Sequence, residues 1–431
     1  MSPAERPQSN HDGAVQERES GRMKFSVKAW SKNGRARVGL LQLNSSSSSC
    51  RQGGPPAKEI EIETPALLLT TRKGLPAFIS PDHLASLPSP DSRLLQFSPM
   101  HFMEGPNLKT ISNIGGVHQL LSLHGYGFVA LPRDSILSLP ECNSSNRHGA
   151  SFETPCGRFL AILLTSSLDA VKPLEYMKMI SSMKPDLWVS LADEVSASVT
   201  AKRNKAAVDR TIRWLDDCIS LKSVTLFCLS NTDGALFGSI VGGCSIEERQ
   251  HCAQEVAKRN VSGMLCYYIG GFGLGDSIDG RSTLLHAVTV CGLGLPEEVL
   301  QGIAAGIDLF DSMYIYHLTL GGFALIFPLD GQCKHVSDPQ LSAMTSDHTK
   351  INLKATVYRK DASPIVDGCN CYTCQNHTKA YINHLLNVHE MLAQILLEIE
   401  AITKGKFEQF RQNFIESRRD HLLAASLSSM S

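Results

Sequence analysis

An excess of charge of either sign is missing from this chain. Its 431 residues carry 41 Lys and Arg against 42 Asp and Glu, a formal net charge of −1. That balance excludes a strongly basic nucleic-acid binder, so any RNA contact must come from a local patch. Long hydrophobic runs are missing too. No stretch of about 18 apolar residues occurs, which leaves no segment to span a bilayer as a helix. No secretory signal pattern opens the sequence, and the leader is not the acid-poor kind of a transit peptide, because Glu5, Asp12, Glu17 and Glu19 fall within it. The polarity of a disordered chain is also lacking: hydrophobic residues reach 42%, enough to build a core.

Cysteine, by contrast, is plentiful. There are 13, an odd number, and most stand singly in apolar segments, as Cys218, Cys228, Cys252 and Cys266 do. Scattered thiols in apolar surroundings read as buried and reduced, which points to the cytoplasm.

Residues 1–22 are polar and read as a disordered leader, and "MKFSVKAW" from Met23 as a first strand. "NSSSSSCRQGGPP" (Asn44–Pro56) is a low-complexity loop. Strand-like and helix-like segments then alternate. "ETPALLLTT" (Glu63–Thr71) reads as a strand, and "SPDHLASL" (Ser80–Leu87) opens a helix behind a Ser-Pro cap. "DLWVSLADE" (Asp186–Glu194) is a strand ending in acids, and "KAAVDRTIRWLDDCISL" (Lys205–Leu221) has helical spacing. "SVTLFCLS" (Ser223–Ser230) and "SGMLCYYIGG" read as strands. "SIEERQHCAQEVAKR" (Ser245–Arg259) starts with Ser and has Glu three residues on, the pattern of a capping box. "LPEEVLQGIAAG" is a helix with Gly306 as its C-cap, and "IDLFDS" (Ile307–Ser312) is a strand ending in an acid. Repeated β-then-α units at this length predict an α/β fold, a (β/α)8 TIM-type barrel over residues 23–360 with β elements at its N-terminus. Barrel chemistry sits where strands end, which singles out Asp193 and Asp311. The plainer reading of each is that it caps a helix or a turn.

The last part of the chain, 361–431, has a different character. Cys369, Cys371 and Cys374 form C-x-C-x-x-C, with Gly368 before them for a tight turn. Thiolates so close can converge on one ion, and zinc is the metal that thiolate and imidazole donors favour. The run "KAYINHLLNVHEMLAQILLEI" comes next, with Leu385, Val388, Leu392, Ile395 and Ile399 at helical spacing. His377, His384 and His389 lie nearby, none of them marked as a fourth ligand by spacing alone.

The segment "CNCYTCQNHTKAYINHLL" (Cys369–Leu386) resembles the zinc-binding segment of the tRNA-guanine transglycosylase family, where C-x-C-x-x-C is followed by R/K-A-Y-x-x-H-L. "EIETPALLLTTRKGLPAFISPDHL" (Glu61–Leu84), "RTIRWLDDC" (Arg210–Cys218), "LFGSIVGG" (Leu236–Gly243) and "GIDLFDS" (Gly306–Ser312) resemble further segments of that family, in family order from about residue 60 to 400. The resemblance implies a (β/α)8 barrel with a zinc-binding subdomain inserted near its C-terminus, and one zinc ion per subunit. It implies an exchange of guanine at the wobble position of GUN-anticodon tRNAs for a deazaguanine base, queuine in eukaryotes. There the enzyme is a heterodimer of a catalytic subunit and a homologous accessory subunit.

The departures bear on which subunit this is. The family's D-T-G/S-G-G-F/Y-Q motif has no counterpart in "GYGFVALPRDSIL" (Gly125–Leu137). Val241 stands where the glutamine of F-G-I-V-Q-G-G is expected, and "MYIYHL" (Met313–Leu318) replaces P-T-R. Asp193 matches the acid that hydrogen-bonds the base, and Asp311 the nucleophile that attacks the ribose. Base exchange with retention needs one carboxylate as nucleophile and a second group to stabilise the departing base. With the surrounding donors gone, Asp311 and Asp193 read as vestigial candidates. The expectation is a non-catalytic accessory subunit that binds a catalytic partner and tRNA; the alternative is a self-sufficient enzyme using Asp311 as nucleophile. The family's fourth zinc ligand, a His late in the long helix, falls in register on Glu400. His377, His384, His389 and Glu400 therefore all stand as candidates for the fourth place. The C-terminal stretch carries Lys404, Lys406, Arg411, Arg418 and Arg419, which suits either a solvated helix face or a phosphate-contacting tail.

Overall fold

The computed structural model describes residues 16–20, 23–30, 35–43, 60–87, 93–133, 144–146, 149–151, 171–195, 199–223, 234–267, 287–291, 296–326 and 349–403. Four antiparallel strands come first, paired in chain order: β1 (Gln16–Ser20), β2 (Met23–Trp30), β3 (Arg37–Leu43) and β4 (Ile60–Thr64). Leu41 and Leu43 of β3 point into the core while Val38 faces out, the alternation of a sheet covered on one side. Strand β1 lies inside the leader that composition reads as disordered. It is held by backbone pairing with β2, from Gln16 opposite Val27 to Ser20 opposite Met23, a contribution that composition does not register. The segment Glu63–Thr71, read as one strand, is divided between two sheets. Strand β4 ends at Thr64, and β5 (Ala66–Thr70) begins the barrel after Pro65, which has no amide proton to continue a ladder.

The barrel strands are β5, β6 (Leu94–Phe97), β7 (Gly127–Ala130), then, after a short hairpin of β8 (Ser144–Asn146) and β9 (Gly149–Ser151), β10 (Leu187–Val189), β11 (Ala235–Ile240), β12 (Gly263–Tyr267), β13 (Ala287–Cys291) and β14 (Leu309–Asp311). Eight parallel pairings close the ring, the last between β14 and β5. Every residue of β6, β7, β10, β11 and β14 is buried, as parallel strands covered on both faces require. The expected barrel is thus the observed architecture. Its helices among the described residues are α1 (Pro81–Ser86), α2 (Leu108–Ile114), α3 (Val117–Leu121), α4 (Pro173–Met183), α5 (Ala201–Ser223), α6 (Ile246–Ala257), α7 (Pro296–Ala305) and α8 (Met313–Gly321). Two of the expected caps are present. Ser80 Oγ accepts from the His83 amide at the start of α1, and Ser245 Oγ accepts from the Glu248 amide at the start of α6.

The N-terminal sheet is fastened to the barrel's N-terminal end by charge. Asp308, just before β14, accepts from Arg37 Nε at 3.0 Å, from the Val288 amide at 2.8 Å and from Thr64 Oγ1 at 3.4 Å, and both ionic side chains are fully buried. Burial pushes the Asp308 carboxyl above its ordinary range, and Arg37 opposes that shift.

A second hydrophobic core gathers Ala324 of β15 (Phe323–Leu325), Ile351 of β16 (Lys350–Asn352), Leu353 and Tyr358 with residues of three helices, α9 (Tyr372–Asn376), α10 (Lys379–Asn387) and α11 (Leu392–Thr403). It therefore draws on residues before 361. The long helix expected after the cysteines is two helices. His389 sits in the left-handed region at φ 61°, and the Glu390 amide donates to Leu385 O, turning the chain between α10 and α11. Val388 and Leu392, two members of the expected apolar stripe, are consequently 48% and 38% exposed. The loop Asn44–Pro56 and the basic tail from Lys404 lie outside the described residues, as does the strand expected over Ser223–Ser230 except for Ser223, which ends α5.

Candidate functional site

The C-terminal mouth of the barrel is built from the residues just past each strand end. Strand β7 runs into Leu131, Pro132 and Arg133, an apolar wall and then a cation. Strand β11 runs into Val241 and a Gly-Gly turn. Gly242, at φ 148°, has no room for a Cβ, which would sit 2.6 Å from the Arg249 amide. That turn ties two helices to the strand: Asn204 Nδ2 of α5 donates to Gly242 O, and Arg249 Nε of α6 donates to Gly243 O, both at 2.6 Å. At the end of β14, Asp311 is buried, and Ser312 Oγ accepts from the Thr70 amide of β5 at 2.8 Å, fixing the strand end to its neighbour.

Asp193 lies past the end of β10, fully buried, and its carboxylate is already engaged. Arg203 Nη1 donates to Oδ2 at 2.8 Å and Arg203 Nη2 to Oδ1 at 2.7 Å, a bidentate pair. Arg210 Nη1 donates to Oδ2 as well, and the Asp193 amide donates to Thr211 Oγ1 at 3.0 Å. The next residue is likewise paired: Arg133 Nη1 meets Glu194 Oε2 at 3.0 Å, with both side chains buried. Burial pushes the Glu194 carboxyl up and Arg133 opposes it, while the bond to Asp193 raises Arg203. The structure thus sets Asp193 and Asp311 at the same end of the barrel, but Asp193 is held by internal cations. Arg133, Arg203 and Arg210 were not singled out by the sequence reading. Arg203 and Arg210, two helical turns apart on one face of α5, are the signal that would have found the pair.

The second candidate centre is the cysteine knuckle. The sulfur atoms of Cys369, Cys371 and Cys374 all lie within 4.8 Å of one another. Gly368, at φ 75°, turns the chain into the knuckle, and Cys371 caps α9, its Sγ accepting from the Cys374 amide at 3.4 Å. The neighbouring Cys374 and burial push the Cys371 thiol above its ordinary range, which is the condition a bound cation relieves by stabilising thiolate. Three soft donors at this separation fit a zinc ion. Among the described residues, no His, Asp or Glu joins the three in that cluster. His384 and His389 are exposed. The His377 ring stacks on Tyr381 at 5.3 Å and meets Tyr372 edge-on at 5.7 Å. Glu400, on α11, is fully buried. Other thiols serve as core: Cys218, Cys252 and Cys266 are buried and form no disulfide, and burial pushes the pKa of each thiol up to about 12.

The sequence pattern of one protein family, described as queuine tRNA-ribosyltransferase, matches residues 32–420. The chain belongs to this family. Within the queuine tRNA-ribosyltransferase family it is similar to the accessory subunit 2 of Danio rerio, 31% identical over 292 residues, covering 57% of this chain and 69% of the relative. It is 30% identical to the Homo sapiens accessory subunit 2 over 334 residues, 67% of this chain and 76% of the relative. It is also 26% identical over 353 residues, 80% of this chain and 82% of the relative, to the queuine tRNA-ribosyltransferase of Synechococcus elongatus. Family membership agrees with the closed barrel and the cysteine knuckle. Among the described residues no helix is long and apolar enough to cross a membrane.

Proposed function

We propose that this chain is a non-catalytic accessory subunit of a queuine tRNA-ribosyltransferase, pairing in the cytoplasm with a homologous catalytic subunit and helping it hold GUN-anticodon tRNAs for guanine–queuine exchange. The observation that carries this reading is the state of Asp193. A carboxylate that recognises a purine-like base must offer its oxygens to the base's N–H groups. Here three guanidinium N–H donors occupy the oxygens of a fully buried carboxylate, and displacing such partners strands a buried charge. Leu131, Pro132 and Val241 add an apolar lining where a base-exchange site needs polar donors. The vertebrate relatives named as accessory subunits support the same reading.

Cys369, Cys371 and Cys374 would hold one zinc ion per subunit, which, when bound, supplies cross-linking rather than chemistry: it ties the loop before α9 to the second core. One observation favours a second reading, that of a self-sufficient enzyme. Asp311 is retained at the mouth of the barrel, and the similarity to the Synechococcus elongatus enzyme spans most of both chains.

Incorporation of labelled queuine into a GUN-anticodon tRNA decides between them. The purified chain alone is expected to be silent, and the chain mixed with a catalytic homologue to raise activity above that homologue alone. Turnover by the chain alone, abolished by Asp311→Asn, would establish the second reading instead.

A further inference from the structure

We infer that Arg203 is an internal stand-in for the base: its guanidinium fork fills the two positions on Asp193 that the paired N–H edge of a guanine-like base would take. It thereby plugs a recognition carboxylate that the rest of the chain still holds in place. The inference rests on the accessory-subunit reading above and concerns how this chain keeps a base out. A guanidinium and the edge of a 2-amino-4-oxopyrimidine ring share one pattern. Each is a planar N–C–N unit presenting two parallel N–H donors, and a carboxylate receives either one through both of its oxygens. Arg203 makes that pair, from Nη1 to Oδ2 at 2.8 Å and from Nη2 to Oδ1 at 2.7 Å.

The two arginines on Asp193 are not equivalent. Arg210 gives one bond, to Oδ2, from a side chain only 14% exposed, and its neighbour Thr211 accepts from the Asp193 amide at 3.0 Å. Together they fix the backbone and one oxygen of Asp193 from within α5, and Arg210 balances its charge. Arg203 stands two turns earlier, at the start of α5, where its amide donates to Thr200 Oγ1 at 3.3 Å. Its side chain is 34% exposed while Asp193 is fully buried, so it meets the carboxylate from the solvent side. Removing Arg203 gives back one acceptor position on each carboxylate oxygen. What remains is a charge-balanced pair of Asp193 and Arg210, which a neutral base can meet without stranding a buried charge. In the intact chain a base must instead displace both bonds of a bidentate ion pair.

The test is equilibrium dialysis of the full-length chain against radiolabelled guanine. The wild-type chain is expected to retain none. Arg203→Met, which keeps an apolar stem and removes the fork, is expected to bind guanine at least about tenfold more tightly than wild type. Adding Asp193→Asn to that variant is expected to abolish the gain. Arg210→Met, with Arg203 still in place, is expected to stay as silent as wild type. A merely structural role for Arg203 would not create an affinity that depends on Asp193. Far-ultraviolet circular dichroism shows whether each variant keeps its fold. An Arg203→Met chain that does not fold makes the pair required structure rather than a removable plug, and overturns the inference. So does a folded Arg203→Met without affinity, a gain that survives Asp193→Asn, or a gain in Arg210→Met. A wild-type chain that itself binds guanine overturns the masking of Asp193 on which the proposed function stands. That failure shows in the wild type, whereas failure of the inference alone shows only in the variants.

Discussion

At the scale of single residues, charge inside the protein is spent on structure. Asp193 is fully buried between Arg203 and Arg210, whose side chains are 34% and 14% exposed, so the aspartate depends on both guanidinium groups. Replacing either arginine by Met leaves the other in place, and each single change is expected to cost about 1–3 kcal/mol. Removing both strands the carboxylate, so the double variant is expected to lose more than the two single losses added together. A double-mutant cycle by urea denaturation checks this, and plain additivity would mean that Asp193 is stabilised by something else. Glu398 on α11 shows the opposite situation. It is buried, its Oε2 finds no hydrogen-bond partner among the described residues, and burial pushes its carboxyl up to about 7. A carboxyl raised in the folded state binds its proton more tightly there than in the unfolded chain. Stability is therefore full below the ordinary carboxylate value near 4.5 and falls as pH rises toward 7, by roughly 3 kcal/mol if no other group compensates. Glu398→Gln is expected to remove that slope and to raise the denaturation midpoint at pH 8 while leaving it nearly unchanged at pH 4.5. Parallel pH profiles for the two chains would count against a titrating Glu398.

At the scale of elements, legibility in the sequence depends on where each signal is stored. The barrel strands could be read because parallel strands are apolar on both faces, and the caps of α1 and α6 because Ser80 and Ser245 act on amides three residues away. The cysteine knuckle was legible for the same reason, since its three donors lie within six residues. The pairing of Asp193 was not, because its partners lie 10 and 17 residues downstream on a helix whose rotation the sequence does not specify. The break between α10 and α11 was hidden for a different reason. Neither Gly nor Pro marks it, and the left-handed residue is His389. A non-glycine residue in that conformation costs roughly 1 kcal/mol, which the turn tolerates because the Glu390 amide finds Leu385 O. His389→Gly is therefore expected to be neutral or to raise the thermal midpoint, and His389→Val, which is β-branched, to lower it. If both variants lowered the midpoint equally, the exposed imidazole rather than the backbone would hold the turn.

At the scale of the whole molecule, helix α11 contributes side chains to both the barrel core and the second core. Ile395 and Ile399 of α11 pack on the barrel, while Leu396 and Leu397 pack with Cys371 and Cys374. A metal at the knuckle would hold α9 against one face of α11, and the other face would transmit that order to the barrel. Metal contributes folding free energy where the ligands are otherwise unconstrained, and local opening releases only the elements it ties down. Stripping the metal is therefore expected to raise amide exchange across the knuckle, α9 and α11, with a smaller effect where Ile395 and Ile399 meet the barrel. Among the described residues, strands β10 to β13 pair only with other barrel strands, and they should keep their protection. Hydrogen exchange followed by mass spectrometry, with and without a chelator, reads this directly. Uniform loss of protection through β11 and β12 would show that the two cores unfold as one unit. Unchanged exchange in α9 would show that the three cysteines need no metal to stay together.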